Sequence, residues 1–282
     1  MSATGSLHEP SSVNVLVSAD MEGTTGVTGW KDVEPGEPAF ERFRKLLTDD
    51  VNAAIEGAFA GGATSVVVNE AHDGMRNILI EDLDARAEMI TGLYKPLVMM
   101  EGLDDADIVF FTGYHAAAGA AGVLAHTMTL DFLDVQVNGE SFSEARLNAA
   151  LAGQRGIPVG MISGDDVICA EAEKLFPGVA TAVVKHAIDN FSARCLSPKS
   201  ASDRIVEAAR LAVSDRDSLG PYQIDPPFVL RVEAREPSMA GAAATMPGVS
   251  RDGPRTVSFQ TDNFGELYDV LGILVAVVNG VA

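Results

Sequence analysis

The N-terminal part of the chain contains two strands of the buried type, joined by an amphipathic helix. VNVLVSA (13–19) and TSVVVNEAH (64–72) are nearly continuous apolar runs, typical of strands covered on both faces. Between them, apolar residues recur at three- and four-residue steps over about 38–60, and a Gly-Gly pair ends the pattern. Because a strand–helix–strand crossover brings its strands together in parallel, this pattern predicts an α/β fold.

The alternation of strands and helices continues to about residue 180. DIVFFTGYH (107–115) and IPVGMISG (157–164) predict two further buried strands, and the Asn138-Gly139 pair between apolar segments predicts a hairpin. Helices are expected over about 144–154 and 167–176. These elements predict a doubly wound, mostly parallel, Rossmann-like sheet.

Three regions follow from this organisation. We expect residues 1–12 to form a flexible polar tail, residues 13–180 a Rossmann-like domain, and residues 181–282 a smaller α+β domain. In the last region, TAVVKHA, PFVLRVE and RTVSFQT are interpreted as strands, with one helix beginning at Pro198 and a largely buried helix at the end.

The charge balance restricts the partners of the protein. The chain has 20 basic and 40 acidic residues, a formal net charge of −20. Such a surface repels phosphate backbones and anionic headgroups, so we expect no nucleic acid and no membrane partner. Two cysteines are too few for a disulfide framework, and no targeting segment is recognised at the N-terminus, which favours a cytoplasmic protein.

Acids and histidines follow the ends of the predicted parallel strands. Asp20 and Glu22 stand two residues apart after the first strand, so their carboxylates point the same way if the extended backbone continues. His72 ends the second strand and His115 the third. Open α/β sheets place their ligand sites at this edge, so we expect the four side chains to form one site.

Carboxylates and imidazoles without thiolates suit zinc, manganese or another divalent first-row ion, and several carboxylates are able to bridge two ions. Glu144 begins a helix, where it is either a fifth ligand or a favourable charge at the helix N-terminus. His126 lies in an apolar stretch, and by itself this placement is more typical of a core or turn residue than of a catalyst.

Five other residues are candidates for a role in the site. Asp165 and Asp166 precede a helix, where an N-cap is the default interpretation. Lys185 has two interpretations, a cation that reaches the cleft or a solvated side chain. Cys169 and Cys195 are interpreted as buried small residues rather than nucleophiles.

Taken in order, these residues resemble the zinc-dependent D-aminopeptidase family of the DppA type. The opening signature of that family, Ser-x-Asp-x-Glu-Gly, stands here at Ser18, Asp20, Glu22 and Gly23. Its other landmarks appear as VNEAHDGMRN, GYHA, AHTM, SEARLNA, SGDD, CLSP and MPG. The similarity extends from about residue 13 to the terminal helix.

The resemblance implies a function and an assembly. It implies a two-zinc centre whose ligands are Asp20, Glu22, His72, His115 and Glu144, with a catalytic role for His126. It also implies a Rossmann-like domain with a smaller α+β domain, ring-like homo-oligomers (decamers) with an enclosed site, and short peptides, cleaved at a D-configured N-terminal residue, as substrates.

One departure from the family pattern lies beside Glu144. The family has Gly before this glutamate and a small or aliphatic residue two positions after it, whereas Ser143 and Arg146 stand here. We expect their bulk and charge to change the substrate pocket.

The expected reaction is hydrolysis of a peptide bond by a metal-activated water. His126 is the candidate for proton transfer, because histidine is a common general acid or base and this one is not needed as a ligand; a covalent histidine nucleophile is the alternative. Alternative functions are a metal-dependent amidase or esterase that acts on other small amides or on L-peptides, and a non-catalytic peptide-binding protein.

Overall fold

Two β-sheets and the helices packed on them organise the chain, in a computed structural model that describes residues 12–281. The predicted tail lies outside the described residues, apart from Ser12. The strands are β1 (Asn14–Ala19), β2 (Ser65–Glu70), β3 (Glu88–Ile90), β4 (Ile108–Tyr114), β5 (Phe132–Val137), β6 (Glu140–Ser141), β7 (Val159–Asp165), β8 (Ala180–Asp189), β9 (Ser192–Cys195), β10 (Phe228–Ala234), β11 (Ser250–Arg251) and β12 (Thr256–Thr261). The α-helices are α1 (Trp30–Val33), α2 (Phe40–Gly61), α3 (Glu144–Gln154), α4 (Asp166–Leu175), α5 (Pro198–Ser214), α6 (Pro237–Ala243) and α7 (Phe264–Asn279).

The larger sheet confirms the predicted doubly wound, mostly parallel arrangement. Its strand order is β3-β2-β1-β4-β7-β8-β9, and among the described residues only the β8–β9 pair is antiparallel. Alternate residues of β1 are buried in different cores, Val15 and Val17 in one and Leu16 in the other. This two-sided burial explains why the sequence of β1 is nearly continuously apolar.

Different helices cover the two faces of the larger sheet. Helices α2 and α5 pack against each other and share one core with it. Residues of α3, α4 and α7 belong to the other core, together with residues of the smaller sheet. The smaller sheet is antiparallel, in the order β11-β12-β10-β5-β6. Its β5–β6 hairpin turns at Asn138-Gly139, as predicted, with φ of 54° and 82°.

The division between the sheets does not coincide with the sequence-based boundary at residue 180. Strands β8 and β9 and helix α5 follow that residue, yet they build the larger sheet and its helical layer. The β5–β6 hairpin precedes it, yet it pairs with β10 in the smaller sheet. The chain therefore leaves the larger sheet after β4 and returns to it at β7. Helix α6, which the sequence analysis did not predict, also packs on the smaller sheet.

No helix among residues 12–281 combines the length and the apolar character needed to cross a membrane.

The contact between α2 and α5 depends on two glycines one helical turn apart. A Cβ atom at Gly57 would lie 2.3 Å from the Val206 carbonyl oxygen, and one at Gly61 would lie 2.5 Å from the Arg210 carbonyl oxygen. The two helix backbones therefore approach each other more closely than any larger residue at these positions would allow.

Substituting Gly57→Ala should destabilise the protein, although helix propensity alone favours Ala by about 1 kcal/mol. We expect a net loss of about 1–3 kcal/mol, the usual cost of overpacking. The matched control is Gly272→Ala in α7, where a Cβ meets no atom within 4 Å, so stability should rise. Urea unfolding of both variants measures the difference, and an equal gain for both would contradict the close helix contact.

Candidate metal centre and its cavity

The carboxyl ends of three adjacent strands bring together the first of the predicted residues. Strand β1 lies between β2 and β4, and Asp20, His72 and His115 follow these strands. His72 Nδ1 lies 3.4 Å from Asp20 Oδ1, and His115 Nε2 lies 3.3 Å from Asp20 Oδ2. Asp20 therefore stands between the two imidazoles, one facing each of its oxygens.

Two glutamates extend this arrangement in opposite directions. Glu22 Oε2 lies 3.0 Å from His72 Nδ1, and Glu144 Oε1 lies 3.4 Å from His115 Nε2. Glu144 is the first residue of α3, whose N-cap Ser143 accepts a hydrogen bond from the backbone N–H of Arg146. Because Ser143 caps the helix, the carboxylate of Glu144 is not required as a cap and reaches into the site.

These residues form two potential metal-binding groups that share one carboxylate. Asp20, Glu22 and His72 offer ligand atoms within 4.8 Å of one another, as do Asp20, His115 and Glu144. The structure therefore brings together all five residues that the sequence analysis named as metal ligands. A third group of the same kind joins Glu22, His115 and His126.

Backbone carbonyls fix the orientation of both imidazoles. His72 Nε2 lies 3.0 Å from the Val33 carbonyl oxygen, and His115 Nδ1 lies 3.0 Å from the Ala116 carbonyl oxygen. Each of these nitrogens carries the proton, since a carbonyl only accepts. The other nitrogen of each ring faces the carboxylates, which is the orientation of a histidine that binds metal.

The donor set has the buried, unsatisfied atoms expected of a metal site. Asp20 Oδ2 and His115 Nε2 are buried and have no hydrogen-bond partner among the described residues, although they face each other. A buried polar atom without a partner is costly, and a divalent cation would satisfy both atoms at once. The three carboxylates and two imidazoles therefore fit zinc.

The electrostatics of the site couple these groups. Burial acts to raise the pKa of Asp20, but the neighbouring imidazoles of His115 and His72 bring it below its ordinary value. Burial acts to lower the pKa of His72 and of His115. The negative charge of Glu22 raises the pKa of His72, and that of Glu144 raises the pKa of His115. Asp20 raises both further, so both pKa values lie well above the ordinary range. The carboxylates thus create a strongly cation-attracting site.

His126 lies beside the five clustered residues and closer to solvent. Its Nδ1 donates to the Leu124 carbonyl oxygen at 2.9 Å, and its Nε2 lies 3.8 Å from one oxygen each of Glu22 and Glu144. The ring stacks on His115 with centroids 4.1 Å apart. Its side chain is 13% exposed, compared with 2% for His115. His126 is therefore not the isolated core or turn residue that its apolar neighbours suggested.

The edge of the Trp30 ring meets the His126 ring, with centroids 5.3 Å apart. This contact was not predicted from the sequence. The available signal was that Trp30 is the single tryptophan and follows the Gly-rich loop after β1.

Asp165 and Asp166 have structural roles. Asp165 Oδ1 accepts from the backbone N–H groups of Val167 and Ile168, which confirms the N-cap prediction, and its Oδ2 accepts from the Val123 N–H near the His126 segment. Asp166 accepts from the Ala187 N–H of β8.

Cys169 is buried, as predicted, and burial raises the pKa of its thiol above the ordinary value. The prediction of burial is wrong for Cys195, which is exposed.

Both sequence-based interpretations of Lys185 are wrong. The side chain is neither solvated nor directed into the cleft, because it is fully buried with its Nζ bonded to backbone carbonyl oxygens. Burial lowers its pKa to about 8, so the amine remains protonated at neutral pH. The signal available in the sequence was a single lysine inside the apolar strand TAVVKHA.

Arg146 points away from the metal-binding groups. Its guanidinium lies over the Phe142 ring, 4.0 Å from the centroid, and donates to the Tyr222 hydroxyl and to Glu140. Neither Ser143 nor Arg146 lines the cavity above the metal-binding groups, so neither side chain adds bulk or charge directly to its walls.

A cavity of about 830 Å³ opens above the metal-binding groups. Its walls combine the site residues with apolar side chains and two further acids. They are formed by Asp20, Glu22, His72, His126 and Glu144, by Trp30, Val33, Pro35, Ala71, Met75, Leu93, Val98, Met99, Met128, Leu130 and Val275, and by Glu34, Asp73, Gly74, Thr129 and Asn279. The volume is that of a site for a small ligand.

The fold and the site define an α/β protein with a buried carboxylate–imidazole centre at the carboxyl edge of a parallel sheet. Comparison with known proteins identifies the family. The sequence model described as D-aminopeptidase matches residues 13–273, and the chain belongs to this D-aminopeptidase family.

Two relatives agree with this assignment. A D-aminopeptidase of Bacillus subtilis (strain 168) is 36% identical over 264 residues, which cover 93% of this chain and 96% of the relative. A solved structure described as the Zn-dependent D-aminopeptidase DppA from Bacillus subtilis, a self-compartmentalizing protease, superposes with a TM-score of 0.91. Its sequence is 34% identical, and the match covers 95% of this chain and 98% of that one.

Asp20→Asn should weaken zinc binding more than any other single change, because both groups share this carboxylate. We expect the affinity for zinc to fall by more than about 10-fold, the lower end of what even the loss of an outer hydrogen-bond partner costs at metal sites. Zinc per chain, measured by mass spectrometry after dialysis against buffered zinc, tests this. The control is Asp73→Asn, an exposed cavity residue outside all three groups whose positive φ of 44° Asn tolerates. Equal zinc content in both variants would exclude the shared role of Asp20.

Proposed function

We propose that this protein is a zinc-dependent aminopeptidase that removes a D-configured N-terminal residue from short peptides. The observation that carries the proposal is the pair of metal-binding groups sharing Asp20 at the base of an open cavity. Membership of the D-aminopeptidase family supports the activity, and the Zn-dependent relative supports the choice of metal.

The proposed centre holds two zinc ions. Asp20, Glu22 and His72 would hold one, and Asp20, His115 and Glu144 the other. Bound zinc supplies a Lewis acid that polarises the scissile carbonyl and lowers the pKa of an attacking water. The protein contributes a buried anionic site, imidazoles already oriented by Val33 and Ala116, and a largely apolar wall that limits water around the peptide bond.

His126 is proposed to transfer the proton to the departing amine. Its Nδ1–H is engaged by Leu124, so Nε2 is the atom free to accept and release a proton beside the cavity. Stacking on His115 and the edge contact with Trp30 hold the ring in place. The 3.8 Å separation of Nε2 from Glu22 and from Glu144 is longer than the corresponding distances of His72 and His115, which favours proton transfer over ligation.

The cavity walls support a substrate with a free amino terminus. Glu34 and Asp73 add negative charge beyond the metal-binding groups, and this charge attracts an ammonium group. Trp30, Leu93 and Leu130 offer apolar contacts for a side chain. The preference for the D configuration rests on the family.

We also propose that the protein forms a ring-like homo-oligomer, a decamer, in the cytoplasm. The solved relative is described as self-compartmentalizing, and large apolar side chains such as Tyr94, Ile188 and Phe191 are exposed on the single chain. Both cysteines are free thiols, as expected in a reducing compartment.

Release of the N-terminal residue should be selective for D-aminoacyl substrates and dependent on zinc. The assay compares D- and L-aminoacyl p-nitroanilides and dipeptides, before and after chelation and after zinc is restored. The matched control is the same D-peptide with an acetylated amino terminus, which should resist cleavage. L-selective turnover or cleavage of blocked amides would favour the broader amidase or esterase, and tight peptide binding without turnover would favour a binding protein.

His126→Ala should lower kcat by about 10²–10⁴-fold, the usual contribution of a general acid or base. The zinc content should stay at the wild-type value, since the change leaves both groups around Asp20 intact. The control is His186→Ala, whose imidazole is 39% exposed beside Asp166 on β8. Zinc loss in His126→Ala would instead assign this residue as a ligand, and an unchanged kcat would remove it from the mechanism.

A further inference from the structure

We propose that Lys185 is the positioning residue for the group formed by Asp20, Glu22 and His72, and so sets the metal affinity of this group but not that of the other. The inference rests on the two-ion centre of the proposed function. Lys185 has no hydrogen bond to the side chains of Asp20, Glu22 or His72. It acts through the backbone of the segment 20–33.

All three protons of the Lys185 ammonium have acceptors on one loop. Nζ lies 2.5 Å from the carbonyl oxygen of Glu22, 3.0 Å from that of Thr24 and 2.8 Å from that of Val27. The side chain is fully buried, with 0% exposure. A buried charge is tolerated only with its hydrogen bonds complete, and here the loop supplies all of them. The ammonium thereby fixes how the carbonyls of the loop converge.

This contact bridges a long distance in the fold. Lys185 is on β8, which β4 and β7 separate from β1, and the loop follows β1. The ammonium therefore ties the loop to the far part of the larger sheet. Without it, three carbonyl groups that face the interior would lose their donor, and the loop would have to move toward solvent to regain one.

The segment fixed in this way supplies most of one metal-binding group. Asp20 and Glu22 are two of its ligand candidates, and the Val33 carbonyl at the other end of the segment orients the third, His72. Movement of the loop would therefore displace a carboxylate and release an imidazole at the same time.

The other group has independent supports. His115 is oriented by the Ala116 carbonyl, and Glu144 is placed by the capped start of α3 and accepts from the Met128 N–H. Asp20 itself is held by hydrogen bonds from the Met21 N–H to its carboxylate and from its own N–H to Thr112. None of these contacts involves Lys185, so its loss should affect the two groups unequally.

A second contact, made by a carboxylate and not by an ammonium group, anchors the middle of the loop. Asp50 of α2 accepts from the Thr25 N–H at 2.9 Å and from its hydroxyl at 3.0 Å. Because Asp50 keeps the loop near the sheet, we expect a Lys185 variant to fold with a loosened loop.

The test is Lys185→Met, which keeps the length of the side chain and removes its three donors. Zinc binding is measured by competition with a chromophoric chelator, which resolves two affinities in the wild type. We expect one affinity to fall by about 10–100-fold, as for other groups that orient ligands, while the other stays within about threefold. At limiting zinc the variant should hold one ion per chain, and excess zinc should restore the second. The matched control is Lys174→Met, an exposed lysine of α4.

Lys185→Gln provides a second variant, because its amide retains two donors. It should lower the zinc affinity of the group formed by Asp20, Glu22 and His72 below the wild-type value, and it tests the inference even if Lys185→Met fails to fold. A folded Lys185→Met with both wild-type affinities overturns the inference, as does an equal fall in both affinities or a Lys185→Gln protein with wild-type zinc binding. A wild-type chain that binds a single zinc ion would contradict the two-ion centre of the proposed function. In that case, an unchanged affinity for the single ion in Lys185→Met would show that Lys185 does not position the metal ligands.

Discussion

The carboxylate of Asp20, buried between two imidazoles at the edge of a parallel sheet, is the constraint on which the site depends. Two of its contacts with imidazole nitrogens lie at 3.3–3.4 Å, and one oxygen has no hydrogen-bond partner among the described residues. An anion in this position is stable only with a nearby positive charge. The surrounding elements hold the donors in place so that a cation can satisfy them.

The backbone around this carboxylate requires glycine. A Cβ at Gly113 would lie 2.1 Å from the Asp20 carbonyl oxygen, and one at Gly23 would lie 1.9 Å from that of Tyr114. The Gly23 N–H donates to the Gly113 carbonyl oxygen at 2.7 Å, so the loop after β1 folds directly onto the end of β4. This close approach lets Asp20 and Glu22 face the histidines of two neighbouring strands.

Much of this arrangement could be predicted from the sequence, because it follows from topology. Apolar runs and a helical period identified β1, α2 and β2, and parallel pairing then placed Asp20, His72 and His115 at one edge. The two interpretations of Glu144 could not be separated by spacing, since a glutamate in a first helical turn is favourable wherever it points.

Contacts between residues far apart in sequence were beyond the sequence analysis. The bonds from Lys185 to the Glu22 loop span more than 150 residues and leave no local pattern. The direction of the Arg146 side chain depends in part on the Tyr222 hydroxyl, 76 residues further along the chain. The pairing of the β5–β6 hairpin with β10 in the smaller sheet was missed for the same reason, because strand pairing across the chain has no periodic signature.

The two sheets meet through a chain of buried hydrogen bonds behind the metal-binding groups. The Ser18 hydroxyl pairs with that of Tyr114, Asn148 donates to Tyr114, and Tyr268 of α7 donates to Asn148. The same helix α7 contributes Val275 and Asn279 to the cavity wall, and Asn279 accepts from Thr129, three residues beyond His126. The strand ends of the larger sheet and the start of α3 thus supply the proposed ligands, and α7 on the smaller sheet supplies part of the cavity wall. Because the polar chain is fully paired, it fixes the position of α7 over the site, so the shape of the cavity depends on the packing between the two sheets as much as on the residues that surround the metal.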